Sequence, residues 1–362
     1  MERFGFLIHP ISVRKDIARK YPIASCFPES WVERAIAYVP PKVVSHITGI
    51  RSKTGTEAEG WFVGCPLSPR QFLEMDVNFV YEKITRAARV AQEQGAKIVG
   101  LGAYTSVAGD GGITVNQGVD IAVTTGNSYT CWTAIEGARR GAALMGVEPR
   151  NARVAIVGAT GSIGRVCAHL LAEDGGVGEM VLLGRNAERL REVAAELSSG
   201  AKARIGTDLD AELPHADIIV TVTSAVDAVI HPDHLKPGAV VCDVARPRDV
   251  SVRVAQERDD VLVIEGGVVR VPGPVDFNFN FGFPPGMSYA CMAETMILAL
   301  EGRYESFSLG KDLDLARVRE IGRLAEKHGF EMDGFRSFEK AVTPERIAHI
   351  RERAQARRSG AA

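Results

Sequence analysis

Val154-Ala155-Ile156-Val157-Gly158-Ala159-Thr160-Gly161-Ser162-Ile163-Gly164-Arg165-Val166 carries an apolar run of strand character into three glycines spaced Gly-x-x-Gly-x-x-Gly, and a helical pattern (Val166, Leu170, Leu171) follows. Strand, glycine turn and helix in that order make a nucleotide cradle. Glycine lets the backbone approach a pyrophosphate closely, and the amides and positive end of the following helix stabilise its charge. Three glycines alone are also compatible with an ordinary turn; the strand before and the helix after weigh against that. Gly158, Thr160, Gly161, Ser162, Ile163 and Gly164 are therefore the expected cofactor-binding residues.

The choice of nicotinamide cofactor falls about twenty residues further on. The next strand, Met180-Val181-Leu182-Leu183-Gly184, ends in Arg185-Asn186-Ala187-Glu188-Arg189. An acidic residue there would bind the adenosine ribose 2′-hydroxyl and repel a 2′-phosphate, whereas an arginine pairs with that phosphate. Arg185, beside Asn186, points to NADPH. Arg189 reads better as a solvated charge at a helix start.

At 362 residues the chain is long for one core, and two domains are expected. A net charge of −2 excludes the footprint of a nucleic-acid binder. The opening Met1-Glu2-Arg3-Phe4-Gly5-Phe6-Leu7 lacks the apolar segment of a signal peptide, and no run approaches membrane-spanning length. The six cysteines are scattered without disulfide-framework or metal-ligand spacing, so they read as thiols in a reducing cytoplasm, and no metal site is expected from them.

The expected fold is α/β: a Rossmann-like doubly wound parallel sheet preceded by a smaller α/β domain, with helices at the C-terminus. Residues 1–130 are assigned to the substrate-binding domain. Its strands are Phe4 to Ile8, 97–102 and 120–124, with helical periodicity over 79–95. The strand at 97–102 runs into Ala103-Tyr104-Thr105-Ser106, at the sheet edge where ligands sit. The helix from about Tyr129 to Met145, capped by Asn127 or Ser128, is rich in small residues; with the linker to Arg150 it forms a connection over 131–150. Residues 151–285 are the Rossmann domain, with strands near 153–158, 179–184, 216–222, 239–244 and 261–266. The loop after the third of these faces the nicotinamide half in such folds, which makes Thr223 and Ser224 contact candidates, with a turn role as the alternative. Asp243 reads as a site carboxylate or as a partner for Arg246. Phe277, Phe279, Phe281 and Phe283 alternate, which in extended chain shares one face; cover for the core is the first reading and an apolar substrate wall the second.

Residues 286–362 are expected to be helical. Pro285-Gly286 starts a helix near Ser288 and places Cys291 in its first turn. Amides without intrahelical partners and the helix dipole favour the thiolate there. A thiolate close to NADPH suits attack on an acyl thioester, covalent holding of the acyl group and its presentation for hydride transfer. The alternative is a packing cysteine in Ala290-Cys291-Met292-Ala293. Glu294, nearby on the helix, could be acid, base, metal ligand or an exposed charge.

A catalytic domain ahead of the dinucleotide domain resembles shikimate-dehydrogenase-like and folate-dehydrogenase-like enzymes. Several segments together are more specific: Phe4-Gly5-Phe6-Leu7-Ile8, Leu101 to Ser106, Thr125-Gly126-Asn127-Ser128, the glycine turn, Arg185-Asn186, Ala290-Cys291-Met292-Ala293-Glu294, and Leu324-Ala325-Glu326-Lys327-His328-Gly329-Phe330. With these, the chain resembles the long-chain acyl-[acyl-carrier-protein] reductases known from cyanobacteria, which make fatty aldehydes with NADPH. The resemblance runs from about residue 3 to 330. It implies Cys291 as acyl-accepting nucleophile, the glycine turn and Arg185 holding NADPH, an acyl carrier protein or coenzyme A thioester as substrate, and magnesium as an activator. Gly126-Asn127-Ser128-Tyr129-Thr130 departs from the family's Gly-Asn-Thr-His-Thr, so Tyr129 stands where a histidine proton donor is expected. Tyr129, Tyr104 and Glu294 are the candidates for proton transfer. Residues 331–362 have no family counterpart; Thr343-Pro344-Glu345 starts a helix there, and its basic end reads first as a solvated or frayed tail and second as an attractor of an acidic carrier protein. The rival readings are a dehydrogenase of a small polar acid and a non-enzymatic NADPH-binding sensor.

Overall fold

A computed structural model describes residues 1–10, 23, 26–173, 176–197, 202–332 and 334–360. Its principal elements in the first part of the chain are β1 (Glu2–Ile8), β2 (Lys42–Arg51), β3 (Glu57–Gly64), α1 (Val77–Glu93), β4 (Ile98–Leu101) and β5 (Ala122–Thr124). Next come α2 (Asn127–Met145), β6 (Arg153–Val157), α3 (Ser162–Glu173), β7 (Glu179–Leu183), α4 (Ala187–Glu196), β8 (Ala203–Gly206), β9 (Ile218–Thr221), β10 (Val240–Asp243) and β11 (Leu262–Glu265). Helices α5 (Ala290–Leu300) and α6 (Pro344–Arg358) lie in the last part.

Residues Met1–Gly126, Arg270–Asp312 and Arg323–Glu331 form one compact unit, and Asn127–Val269, Leu313–Gly322 and Met332–Ala362 the other. These boundaries differ from those expected. The helix taken as a connection belongs wholly to the second unit, and the segment carrying Cys291 returns to the first.

In the first unit the sheet order is β2-β3-β1-β4-β5, with β2 antiparallel to β3 and the remaining pairs parallel. The β2–β3 pair was missed in the sequence. Helix α1 starts on Asp76, whose carboxylate accepts from the amides of Asn78 and Phe79, and it buries Val80, Ile84, Ala87, Ala88 and Ala91. Side chains alternate across a strand. Val99 and Leu101 of β4 thus join the core containing α1, while Gly100 between them meets α5. Every residue of α5 from Met292 to Leu300 is buried, which explains an apolar sequence with no clear polar face.

The second unit holds a six-stranded parallel sheet, order β11-β10-β9-β6-β7-β8. Its strands read as continuous apolar runs because both faces are covered. Val154, Ile156, Leu182, Val220 and Val240 enter one core with α2 and α3; Ala155, Val157, Val181, Leu183 and Val241 enter the other. The small residues of α2 have a specific use: a Cβ on Gly141 would lie 2.9 Å from Val240 Cγ1, so this helix is seated directly on the sheet. That is why it belongs to this unit.

Thr343 caps α6 by accepting from the Arg346 amide, with Pro344 at the first helical position, as its sequence predicts. The basic end of α6 is not a solvated tail. Arg353 and Arg357 pair with Asp259 at 2.8 and 3.0 Å, and Arg358 donates to the Pro237 carbonyl.

Candidate active site

The second unit's strand order reverses between β6 and β9, and in such sheets a dinucleotide lies in the crevice outside the strand ends at that reversal. The glycine turn stands there, joining β6 to α3. Gly158 has φ +84°, a conformation that L side chains rarely adopt. A Cβ on Gly164 would lie 2.3 Å from the Gly158 carbonyl oxygen, so only glycine lets α3 close on the strand. A Cβ on Gly161 would meet nothing but that same oxygen, at 3.3 Å. Thr160 and Gly161 are exposed, and Ser162 and Ile163, the first residues of α3, are partly exposed. The turn is a cradle with its outer side open, and it fits a pyrophosphate.

Arg185 is exposed at the end of β7 with no carboxylate in the strand-end position. Asn186 is the N-cap of α4, accepting from the Arg189 amide at 3.1 Å, so its side chain is used structurally. Across the reversal, Ser224 is exposed, and Thr223 is tied to Asp249 through its amide and its hydroxyl. Asp243 is not an open site carboxylate, and Arg246 is the cation that acts on it. It is buried and accepts from the amides of Ala245 and Val250 at 3.1 and 3.0 Å; burial pushes its pKa up to about 6, against the opposing effect of Arg246 and of the Val250 and Asp249 amides. Tyr129 is buried in the first turn of α2, and Asn127 at the start of that helix donates to Ser162 Oγ at 3.5 Å.

Helix α5 of the first unit begins at Ala290, two residues after the expected start, because Met287–Tyr289 form a short strand. Cys291 is still in the first turn. It is partly exposed, whereas Cys65, Cys131, Cys167 and Cys242 are buried, and burial pushes the Cys65 thiol up to about 12. Gly126, at φ +75°, rests on Cys291 so closely that a Cβ would lie 2.3 Å from Cys291 Cα. One turn further, a Cβ on Gly100 would lie 2.1 Å from Thr295 Oγ1. Two strand-end glycines thus fix the height of α5 over the sheet.

Glu294 is fully buried and not an exposed helix charge. Its carboxyl accepts from the Thr124 hydroxyl and from Ser308 Oγ at 2.8 Å, anchoring α5 to the end of β5. Tyr104 is buried at the end of β4, after Ala103 at φ +46° and ψ −121°. Such a conformation stores about 1–3 kcal/mol of strain and occurs preferentially at functional sites. The Tyr104 amide donates to His9 Nε2 at 3.2 Å, and the two rings are 5.7 Å apart. In the sequence His9 is marked only as a polar residue directly after a buried strand, at the ligand edge of the sheet.

The phenylalanines lie in a loop, yet they gather as alternation implied. Phe277, Phe279 and Phe281 surround buried Phe62 at 5.7–6.0 Å, and the series continues through Phe283 to Tyr289 at 4.5 Å, two residues before Cys291. Phe277 is core, while Phe279 stays 36% exposed. Among the described residues no group of three His, Cys, Asp or Glu is arranged to hold a metal ion, and no helix is long and apolar enough to cross a membrane.

The family model for shikimate / quinate 5-dehydrogenase matches residues 142–265, which contain all six strands of the second unit's sheet. The chain is 30% identical to the long-chain acyl-[acyl-carrier-protein] reductase of Synechococcus elongatus, over 91% of this chain and 98% of that protein. It is 32% identical to the aminotransferase PigE of a Serratia species over 96% of its own length but spans only 42% of that protein. Among solved structures, the malic enzyme of Entamoeba histolytica aligns with 100% of this chain and 70% of that chain at 14% identity, with a TM-score of 0.45.

Proposed function

The chain belongs to the long-chain acyl-[acyl-carrier-protein] reductase family, an NAD(P)-dependent reductase with a Rossmann fold, and from that premise we propose that it reduces an acyl thioester to the aldehyde with NADPH through an acyl-enzyme on Cys291. The observation that carries this reading is the setting of Cys291: a partly exposed thiol in the first turn of a helix otherwise buried, held at backbone distance by Gly126. A packing cysteine needs neither the exposure nor the helix end. Helix amides at such an end favour the thiolate, which is the attacking form.

In this reading the Cys291 thiolate adds to the thioester carbonyl, the carbon–sulfur bond to the carrier breaks, and the carrier leaves as its thiol after taking a proton. Bound NADPH would supply the hydride that turns the acyl group into a hemithioacetal on Cys291. Collapse of that adduct releases the aldehyde and returns the cysteine. The glycine turn and Arg185 hold the cofactor, with the arginine selecting the 2′-phosphate. Glu294 acts by holding α5, since both of its hydroxyl partners belong to the frame around Cys291. Proton transfer to the carbonyl oxygen falls to Tyr104 or Tyr129, which substitution by phenylalanine distinguishes. The partly exposed phenylalanines before Tyr289 offer an apolar wall to the acyl chain. The substrate is a thioester of acyl carrier protein or coenzyme A, and a soluble cytoplasmic setting accords with it.

Intact-mass measurement tests the reading directly. After incubation with a long-chain acyl thioester and no cofactor, the protein is expected to gain one acyl group. The gain is absent in Cys291→Ala and disappears from the native protein when NADPH is added. No adduct on a protein that still binds NADPH overturns the covalent mechanism.

A further inference from the structure

We infer that Asp249 is a positioning residue for the cofactor: it fixes the loop after β9 against the glycine turn, and so sets the wall that the nicotinamide half of NADPH meets. The inference rests on the NADPH reading above and goes beyond it, because Asp249 is not among the residues assigned to the cofactor.

Asp249 is fully buried, and its carboxyl collects three donors from one short loop. The Thr221 hydroxyl donates to Oδ2 at 2.5 Å, the Thr223 amide donates to the same oxygen at 2.9 Å, and the Thr223 hydroxyl donates to Oδ1. Thr223 Oγ1 in turn accepts from the Ala225 amide at 3.1 Å. Among the described residues no cation pairs with Asp249. Burying a carboxyl is expensive unless donors satisfy it, and here all three donors, two hydroxyls and one backbone amide, come from residues 221–223. The arrangement defines that loop and nothing else.

The loop abuts the cradle. A Cβ on Gly158 would lie 3.1 Å from the Val222 carbonyl oxygen and 3.2 Å from the Thr223 nitrogen, so a shift of a few tenths of an ångström at Thr223 is felt at the first glycine of the turn. Asp249 is itself held. Its amide faces Asp243 Oδ1 at 3.4 Å, and its carbonyl accepts from the amides of Val229 and Ile230 at 2.8 and 2.9 Å. Loop 221–225 lies on the β9 side of the strand-order reversal, and the adenosine side is β6, β7 and β8. The consequence is asymmetric: disturbing Asp249 weakens the hold on the nicotinamide half and spares the adenosine half.

Calorimetric titration of the full chain with NADPH and, separately, with 2′,5′-ADP tests this, because the fragment carries the adenosine half alone. Asp249→Asn keeps the shape but replaces one acceptor by a donor. It is expected to weaken NADPH about tenfold, the effect of losing roughly one good hydrogen bond in the bound state, and to change 2′,5′-ADP less than about twofold. Thr223→Val, which removes one of the three donors and keeps the backbone amide, is expected to weaken NADPH about threefold with the same selectivity, and it serves if Asp249→Asn does not fold. Equal weakening of both ligands, or no change in either, overturns the positioning role. A native chain that binds 2′,5′-ADP and NADPH no better than 5′-ADP and NADH overturns the NADPH reading, whereas the selective loss between the two halves would then still be measurable with NADH.

Discussion

In the second unit the cofactor cradle is one run of chain, Gly158 to Gly164, and every contact that requires glycine is made within it or with the neighbouring loop. In the first unit Cys291 is framed by Gly126, Thr124, Glu294 and Ser308, with Gly100 one helical turn away. These residues come from both ends of a fold through which the chain passes twice. On the proposed reading, the contrast reflects what each site would hold. A pyrophosphate is bound by successive backbone amides, which adjacent residues supply. A nucleophile needs one side chain fixed from several directions, which adjacent residues do not supply.

Both frames nevertheless use a strand-end glycine as the point of closest contact, and substituting these glycines should produce the largest effects. Gly126→Ala places a Cβ 2.3 Å from Cys291 Cα at a positive φ. Urea denaturation is expected to report a loss of about 3–5 kcal/mol, overpacking and backbone strain combined. Gly164→Ala, clashing with the Gly158 carbonyl at 2.3 Å, is expected to lose about 1–3 kcal/mol. Gly161→Ala should cost less than about 0.5 kcal/mol while still weakening NADPH, because its open side is where the backbone approaches the ligand. A Gly126→Ala protein as stable as the native one would break the comparison, since α5 would then not be seated on that glycine.

Acid should move the two units in opposite directions. In the first unit, burial holds the His328 pKa below its ordinary value, against the effect of its Glu301 partner at 2.8 Å; Ser52 bonds the other ring nitrogen at 2.8 Å. The unfolded chain therefore takes up that proton first. The stability His328 lends is complete above about pH 6.5 and is lost as pH falls below that. In the second unit, Asp243 is raised to about 6 by burial. The folded form holds that proton more tightly, so its contribution is complete below the ordinary carboxylate range and is lost as pH rises through about 6. Hydrogen exchange followed by peptide between pH 7 and 5 should find protection falling around Ser52 and His328 while it holds or rises around β10. Parallel loss in both places would mean that one cooperative transition masks the local terms.

A small effect is also expected at α6. Asp259→Asn removes the carboxylate that pairs with Arg353 and one of the two that pair with Arg357, groups about one-third exposed, and should lower stability by about 0.5–1 kcal/mol in denaturation at low salt, less at high salt. An effect several times larger would mean that this helix contributes to the second unit as much as the cradle does.

The legibility of the two sites follows their construction. The glycine turn, its strand and its helix were readable because conformation there is set locally, by missing Cβ atoms and apolar periodicity. The place of Cys291 in the first helical turn was readable, and a helix start two residues later does not change it. The β2–β3 pair was not readable, since β2 is only partly buried along much of its length and its alternation is weak. The tail was misjudged because Asp259, about a hundred residues earlier, decides whether its arginines meet solvent or carboxylate. Asp249 carries no local signal, and His9 only its place directly after a buried strand; each becomes meaningful beside Thr223 or Tyr104.

The sequence by itself determined most strands and helices of the second unit, the glycine turn, the arginine at the second strand's end and the helical setting of Cys291. Each depends on neighbours within a few residues, where steric and hydrogen-bonding preferences are short in range. Tertiary structure alone decided that the helix after Gly126 belongs to the second unit, that the Cys291 helix returns to the first, and that Glu294 and Asp249 are buried acceptors rather than surface charges. Those outcomes depend on which distant groups displace water from a side chain, and burial is a property of the packed chain that no local stretch contains.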